Sequence, residues 1–139
     1  MQSILSGRVL IKYLKSYKIQ LIYIPLVVYW IVLLIATSIP ADRIPSVGVG
    51  DKFSHFFAYL ILSALMYFAF SLQEKYSALK NNPALISAGI ASAYGILDEL
   101  HQMLIPGRSA ELLDWVADFC GAIAGVLIAR QIYLRLDKK

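Results

Sequence analysis

The sequence predicts an all-α integral membrane bundle of four transmembrane helices. Of its 139 residues, 59 % are hydrophobic and only 16 % are charged, which is too apolar for an ordinary soluble domain. Each of four apolar segments has about the 20 residues that a helix needs to cross a bilayer. These segments cover residues 19–39, 53–72, 83–102 and 110–130.

The distribution of positive charge predicts that both termini lie in the cytoplasm. With that orientation, most lysines and arginines face the cytoplasm, and Arg43, Lys52 and Arg108 remain on the outer side. Membrane proteins carry such an excess of basic residues on their cytoplasmic side. The net charge of +4 is therefore explained by membrane orientation, and we expect no nucleic-acid partner.

The chain divides into three predicted parts. Residues 1–18 form a basic segment at the membrane interface, residues 19–130 form the membrane domain, and residues 131–139 form a basic cytoplasmic tail. A cleaved signal peptide is disfavoured, because the first apolar run exceeds the usual 7–15 residues of a signal sequence. The single cysteine, Cys120, excludes an intramolecular disulfide, and we expect its thiol to be packed.

The first span carries Pro25 near its start, which predicts a local distortion of the helix. It is followed by an outer loop, residues 41–50, whose proline and glycines predict irregular structure. The second span has a stripe of side chains at helical spacing that is polar over its outer half. The stripe consists of Asp51, His55, Tyr59 and Ser63.

The third span has small residues four apart, Ser87, Ala91 and Gly95, which allow another helix to approach closely. Its outer end is polar. Tyr94, Asp98 and Gln102 share one face there, and Glu99 lies beside them.

The fourth span begins after a short turn, where Ser109 is the expected N-cap. Asp114 and Asp118 project from one face of this helix. Gly121 and Gly125 follow, and their GxxxG spacing predicts close helix contact, with a homo-oligomer through this pair as one option.

Connectivity brings these polar ends together. The second span starts at the outer face, the third ends there and the fourth starts there, so we expect one site within the outer leaflet. Ionisable groups in a membrane are expensive and mark functional sites. The acids of this site also outnumber its cations, so some of them should be protonated, solvated or bound to a ligand.

These residues resemble the VanZ-like family over residues 19–130. The resemblance consists of Asp51-Lys52-x-x-His55, Tyr94-Gly95-x-x-Asp98-Glu99-x-x-Gln102, Pro106-Gly107-Arg108, and Asp114 with a following glycine. It implies a small multi-pass protein of the bacterial inner membrane. The family's namesake is linked to resistance to the glycopeptide antibiotic teicoplanin. Asp118 departs from the pattern, because many relatives carry asparagine there.

The main hypothesis is a protein that binds or acts on a cell-envelope lipid or peptidoglycan precursor with an anionic or polyhydroxy head group. His55, Glu99 and Asp114 are the candidate catalytic residues, for contact or proton transfer. Arg108 would orient the head group through its paired donors. The remaining candidate substrate contacts are Asp51, Tyr94, Asp98, Gln102 and Asp118.

Two alternatives stay open at this point. In the first, the protein is a metal-dependent envelope-lipid enzyme, although the ligand spacing does not decide it and no HExxH motif is present. Its candidate ligands are His55, Glu99, Asp114 and Asp118.

In the second alternative, the polar network only locks the helices together. Arg108 then neutralises Glu99 or Asp114, and His55 bonds to Asp51 or Asp98. Under every hypothesis, Lys52 is expected to be a boundary residue that reaches towards the membrane surface, and His101 an exposed interfacial one.

Overall fold

The computed structural model describes residues 7–43 and 49–138, and all regular secondary structure in these ranges is helical. The all-α class is therefore confirmed. The α-helices of the described residues are α1 (Gly7–Ser16), α2 (Ile24–Thr37), α3 (Val49–Leu72), α4 (Ser77–Asn81), α5 (Pro83–Gln102) and α6 (Leu112–Lys138). A π-helical turn at Ile19–Tyr23 leads into α2, and a 3-10 turn at Ala41–Arg43 follows it.

Three helices in the described ranges are long and apolar enough to cross a membrane. They are Ile19–Thr37, Gly50–Leu72 and Leu112–Lys138. The remaining predicted span, the third in chain order, corresponds to α5; it has 20 residues but is not among these three helices. Its last turns carry Asp98, Glu99 and His101, which lower its mean hydropathy. The chain is thus a helical membrane protein, and the count of four spans stays a prediction.

The π-helical turn explains the distortion expected at Pro25. The Ile24 N–H donates to the carbonyl of Ile19, five residues back. Pro25 has no N–H to continue the regular ladder, so the turn before it widens. From there α2 runs along the outside of the bundle, where Leu33 is its buried residue and the Tyr29 hydroxyl donates to the Ala58 carbonyl at 2.9 Å.

The core lies where α3, α5 and α6 meet, and α3 and α6 share the most extensive interface. Tyr59, Leu62 and Met66 of α3 pack there against Ala91 of α5 and Ala122 of α6. Alanines at these positions let the larger side chains of α3 fill the space between the helices.

Gly121 and Gly125 lie in the α3–α6 interface. A Cβ atom at Gly121 would overlap the backbone carbonyl of Phe56, and one at Gly125 would overlap that of Leu60. The predicted close helix contact is therefore present, within one chain and against α3. A homo-oligomer through these glycines stays a prediction, and a second copy would have to displace α3 from this face.

The two ends of the chain meet on α6. Gly7 packs on the backbone of Leu136, and Arg8 Nε donates to the Asp137 carbonyl at 3.3 Å. Residues 131–138 of the predicted tail are helical and form the last part of α6.

Two other expectations concern the Cys120 thiol and the outer loop. Cys120 is exposed, so the expectation of a packed thiol was wrong. Of the loop expected to be irregular, residues 44–48 lie outside the described residues, and α3 already begins at Val49.

Candidate functional site

Polar side chains gather at one end of the bundle, where α3 begins, α5 ends and α6 begins. The residues buried there are His55, Asp98, Glu99, Gln102, Asp114 and Asp118. The convergence expected from connectivity is therefore present among side chains that are nine-tenths buried or more. Most of the predicted site residues meet here.

The acids lie on the same helix faces that are apolar elsewhere in the bundle. The buried stripe of α5 passes from Ser87, Ala91 and Gly95 to its acidic last turns, as its spacing predicted. Gly95 has a specific role in this geometry, because a Cβ atom there would lie 3.1 Å from Asp118 Oδ2. The missing side chain of Gly95 makes room for the Asp118 carboxylate against α5.

His55 and Asp118 form a buried pair at the centre of the cluster. Their Nδ1 and Oδ1 atoms are 2.9 Å apart, and the side chains are 7 % and 0 % exposed. The pairing of His55 with Asp51 or Asp98, which belonged to the helix-locking alternative, was therefore wrong. The second oxygen of Asp118, Oδ2, is buried without a hydrogen-bond partner among the described residues.

Lys52 supplies the cation of the cluster. Its Nζ donates to Asp114 Oδ1 at 2.5 Å and to Glu111 Oε2 at 2.9 Å. Lys52 therefore has a role in the polar cluster that the sequence analysis did not give it. Its position three residues before His55 was the available signal, because that spacing places both side chains on one face of α3.

Arg108 makes a different contact from the one expected in a locking network. Its Nη1 donates to the Ile39 carbonyl at 3.4 Å, and it forms no ion pair within the described ranges. Arg108 is half-buried in the turn between α5 and α6. It lies at the edge of the polar end, and its proposed role towards a head group stays a prediction.

Glu99 connects α5 to the start of α6. Its Oε2 accepts from the Glu111 N–H at 2.8 Å. The Glu111 carbonyl in turn accepts from the N–H groups of Asp114 and Trp115, so Glu99 lies at the N-terminus of α6, where the helix dipole favours an anion. The sequence suggested a local cap, Ser109, but this carboxylate arrives from a neighbouring helix.

The hydrogen bonds around Asp98 are long. Its Oδ2 accepts from the Tyr59 hydroxyl at 3.5 Å and from Gln102 Nε2 at 3.4 Å, and its buried Oδ1 has no partner in the described part of the chain. Gln102 Nε2 is also 3.5 Å from Glu99 Oε1. A carboxylate with such weak internal partners retains capacity for another donor.

The other predicted site residues lie at the margins of the cluster. Tyr94 is half-buried between Trp30 and Tyr59, at ring-centroid distances of 5.1 and 6.1 Å. Asp51 is half-buried within reach of His55. His101 is only half-exposed, and its Nε2 is 2.9 Å from a serine hydroxyl at the end of α2, which places it outside the acidic cluster.

A cleft of about 330 Å³ lies between the end of α5 and the start of α6. Its lining combines apolar side chains with Glu99 and Glu111. The apolar walls are Ile96, Leu100, Ala110, Leu112 and Trp115. The cleft therefore places an acidic group beside a surface that suits an apolar chain.

The family of the chain follows from its sequence. Residues 8–134 match the family model described as VanZ/LLP1. The chain belongs to this family. Neither a curated protein nor a solved structure is significantly similar to the chain. The resemblance seen in the motifs is confirmed, over a longer stretch than residues 19–130.

In this VanZ/LLP1 protein, two groups of side chains could hold a metal ion. One consists of Asp51, His55 and Asp114, and the other of His55, Glu99 and Asp118. In each group, one potential ligand atom per residue lies within 4.8 Å of the others. The ligands proposed from the sequence are thus divided between two groups that share His55.

Proposed function

We propose that this VanZ/LLP1 protein is a four-span protein of the bacterial inner membrane with both termini in the cytoplasm. In this topology α5 is the third span in chain order. One of its faces is buried against α3 and α6, and exposed leucines and isoleucines such as Ile90, Ile96 and Leu97 cover the other. A helix that buries its polar face in protein needs apolar residues only where it meets lipid.

Its proposed function is to bind the head group of an envelope lipid or peptidoglycan precursor at the outer face. The observation that carries this proposal is the presence of two buried carboxylate oxygens, Asp98 Oδ1 and Asp118 Oδ2, without partners in the described residues. Buried polar groups in native structures are almost always hydrogen-bonded, and the exceptions mark strain, function or a missing ligand. A head group would supply the missing donors.

The adjoining cleft supports a lipid rather than a water-soluble ligand. Glu99 lines the cleft and also belongs to the polar cluster, while Leu100 and Leu112 form part of the apolar wall. An acyl or isoprenyl chain could lie along that wall with its polar end at the carboxylate. Lipid ligands need such an arrangement of apolar and polar surface.

The charge of the cluster favours a polyhydroxy head group over a bare anion. Hydroxyls can donate to Asp98 and Asp118, whereas a phosphate would meet like charge from the neighbouring acids. Lys52 is already engaged by Asp114 and Glu111. Arg108 remains as the residue that would orient a charged part of the ligand at the edge of the site.

An enzyme of this kind would use His55, Glu99 and Asp114 for contact or proton transfer. The 2.9 Å pairing of His55 with Asp118 supports a base role for His55, because a carboxylate fixes the orientation of the ring and stabilises its protonated form. An enzyme alters an extracted envelope lipid over time, whereas a binding protein only retains it. Mass analysis of lipids incubated with the protein separates the two.

The test of lipid binding uses the full chain purified in nanodiscs with total bacterial envelope lipid. Native mass spectrometry then identifies the lipids that stay bound. We expect a glycosylated lipid on the wild-type protein and at least tenfold less of it on Glu99→Gln. Glu74→Gln is the matched control, since Glu74 is an exposed glutamate outside the polar cluster. Equal lipid retention by all three proteins contradicts the proposal.

The second candidate function is mechanical locking of the helices by the polar network. It is favoured by the internal bonds of Lys52 to Asp114, His55 to Asp118 and Glu99 to the Glu111 N–H. If Glu99→Gln and Asp118→Asn fail to insert or fold, and the wild-type protein retains no lipid, this candidate replaces lipid binding.

In the cell, we propose that head-group binding contributes to teicoplanin-type glycopeptide resistance. Family membership supports this role. The test expresses wild-type protein and Glu99→Gln at equal membrane levels in a susceptible bacterium. We expect the inhibitory concentration of teicoplanin to rise with the wild-type protein alone. An unchanged value contradicts the resistance role and leaves lipid binding to its own test.

A further inference from the structure

We propose that His55, Glu99 and Asp118 bind a divalent transition metal ion of the zinc or manganese type. This inference goes beyond head-group binding, since it assigns Asp118 Oδ2 to the metal and leaves Asp98 Oδ1 to the head group, and it can be tested without a lipid. Each ligand comes from a different helix: His55 from α3, Glu99 from α5 and Asp118 from α6.

The spacing of the three side chains suits one ion. One potential ligand atom from each residue lies within 4.8 Å of the other two, and all three residues are buried. Ligands about 2.1 Å from a tetrahedral zinc ion are about 3.4 Å apart, so the group needs only a small closure around the ion. Side chains held by three packed helices can close in this way without refolding.

A second observation points independently to a ligand. Asp118 is 0 % exposed, and its Oδ2 has no hydrogen-bond partner in the described part of the chain. Its Oδ1 is paired with His55. Asp118 thus combines a fixed position with a free buried oxygen, as a metal ligand requires.

The charge balance also favours a cation at this point. Glu99 and Asp118 are both nine-tenths buried or more, and neither forms an ion pair with lysine or arginine in the described ranges. Asp118 is paired with His55, which carries no charge in the neutral form that binds a metal. Removing acids from water without a compensating charge is costly. A bound divalent cation would offset that cost.

The other group, Asp51, His55 and Asp114, is the weaker candidate. The Nζ of Lys52 lies 2.5 Å from Asp114 Oδ1, so that carboxylate already has a cation. A metal ion there would face the lysine charge at close range. Among the described residues, no lysine or arginine forms an ion pair with Glu99 or Asp118.

The chemistry of the ligands limits the type of ion. Imidazole nitrogen with carboxylate oxygen suits zinc and manganese, whereas magnesium and calcium prefer oxygen ligands alone. Three protein ligands also leave an open position of the kind found in catalytic zinc sites. Of the three residues, Glu99 also lines the cleft. If the proposed lipid function holds, a bound cation would offset the like charge that otherwise disfavours a phosphate at this site.

The experiment measures metal in the full-length protein purified in nanodiscs. Elemental analysis determines what the protein carries, and after chelation the thermal midpoint is followed with Zn²⁺, Mn²⁺ and Mg²⁺. We expect close to one zinc or manganese per chain and a rise of the midpoint with that ion. Asp118→Asn should weaken the affinity at least tenfold, and Asp137→Asn, an exposed acid at the far end of the same helix, should not.

Two results would overturn the assignment. One is folded wild-type protein that neither carries nor responds to any of the three ions. The other is a larger loss of affinity in Asp114→Asn than in Asp118→Asn, which would move the ion to the other group. Lipid retention without metal contradicts only this inference, and metal binding without lipid retention contradicts only the proposed function.

Discussion

The two halves of the α3–α6 interface are packed in opposite ways. Around Gly121 and Gly125, backbone approaches backbone so closely that a methyl group would not fit. One turn away, the same helices meet through His55 and Asp118, and a buried carboxylate oxygen is left without a partner among the described residues. The half around Gly121 and Gly125, the glycine half, is closed by backbone packing. The half around His55 and Asp118, the polar half, can still accept a ligand.

This difference indicates that the glycine half serves helix association and the polar half serves function. Tight packing of small residues stabilises helix pairs in a membrane, where lipid offers no hydrophobic drive for association. Unpaired buried acids cost stability and persist at sites where function needs them. Removing an unpaired acid from the polar half should therefore raise stability, whereas adding a side chain in the glycine half should lower it.

The largest expected effect is in the glycine half. Gly125→Ala places a methyl group against the Leu60 carbonyl, and we expect it to lower the free energy of unfolding by about 1–3 kcal/mol. Gly89→Ala is the matched control, since a Cβ atom there meets nothing within 4 Å and alanine favours the helix. Thermal unfolding followed by circular dichroism in detergent measures both. A loss in Gly89→Ala as large as that in Gly125→Ala contradicts the close-packing argument.

The next effect concerns the cation of the polar half. Lys52→Met removes the donor to Asp114, which is 4 % exposed and would be left without its ion pair. We expect a lower thermal midpoint than in the wild-type protein. Adding Asp114→Asn should recover part of that loss, because the two residues interact directly. Additive losses in the double variant would show that the pair is not coupled.

A smaller effect of opposite sign is expected at Asp98. Asp98→Asn keeps the shape of a buried side chain whose hydrogen bonds are long, and it removes an acid. We expect the free energy of unfolding to rise by about 1 kcal/mol, with membrane insertion unchanged. Denaturation in detergent measures the change. A clear fall would place Asp98 among the residues that hold the helices together.

The smallest effect is expected outside both halves, where Lys15 Nζ donates to Glu74 at 3.3 Å. This hydrogen bond lowers the pKa of Glu74 below its ordinary value of 4.5. The pair therefore contributes stability above that value and loses it as the pH falls through the lowered pKa. The pair is exposed, so we expect Glu74→Gln to lower the thermal midpoint slightly at neutral pH, and the difference to vanish in acid. A difference that grows in acid contradicts this sign.

Much of the architecture could be predicted from the sequence. Hydropathy and length determine the helical membrane class, and a period of 3.6 residues places Asp98 and Gln102 on the buried face that also holds Ala91. Chain connectivity was enough to expect the polar ends of three helices at one site. These features depend on short-range spacing and on the direction of the chain, both of which are visible in the sequence.

Only the tertiary structure decided which side chains pair. Sequence spacing gives the face of a helix but not its register against a neighbour, so Asp118 could not be chosen over Asp51 or Asp98 as the partner of His55. The same holds for Lys52 with Asp114. A helix rotation or a shift of one turn would exchange these partners, and the register is set by contacts distant in sequence, such as the backbone approach at Gly121 and Gly125.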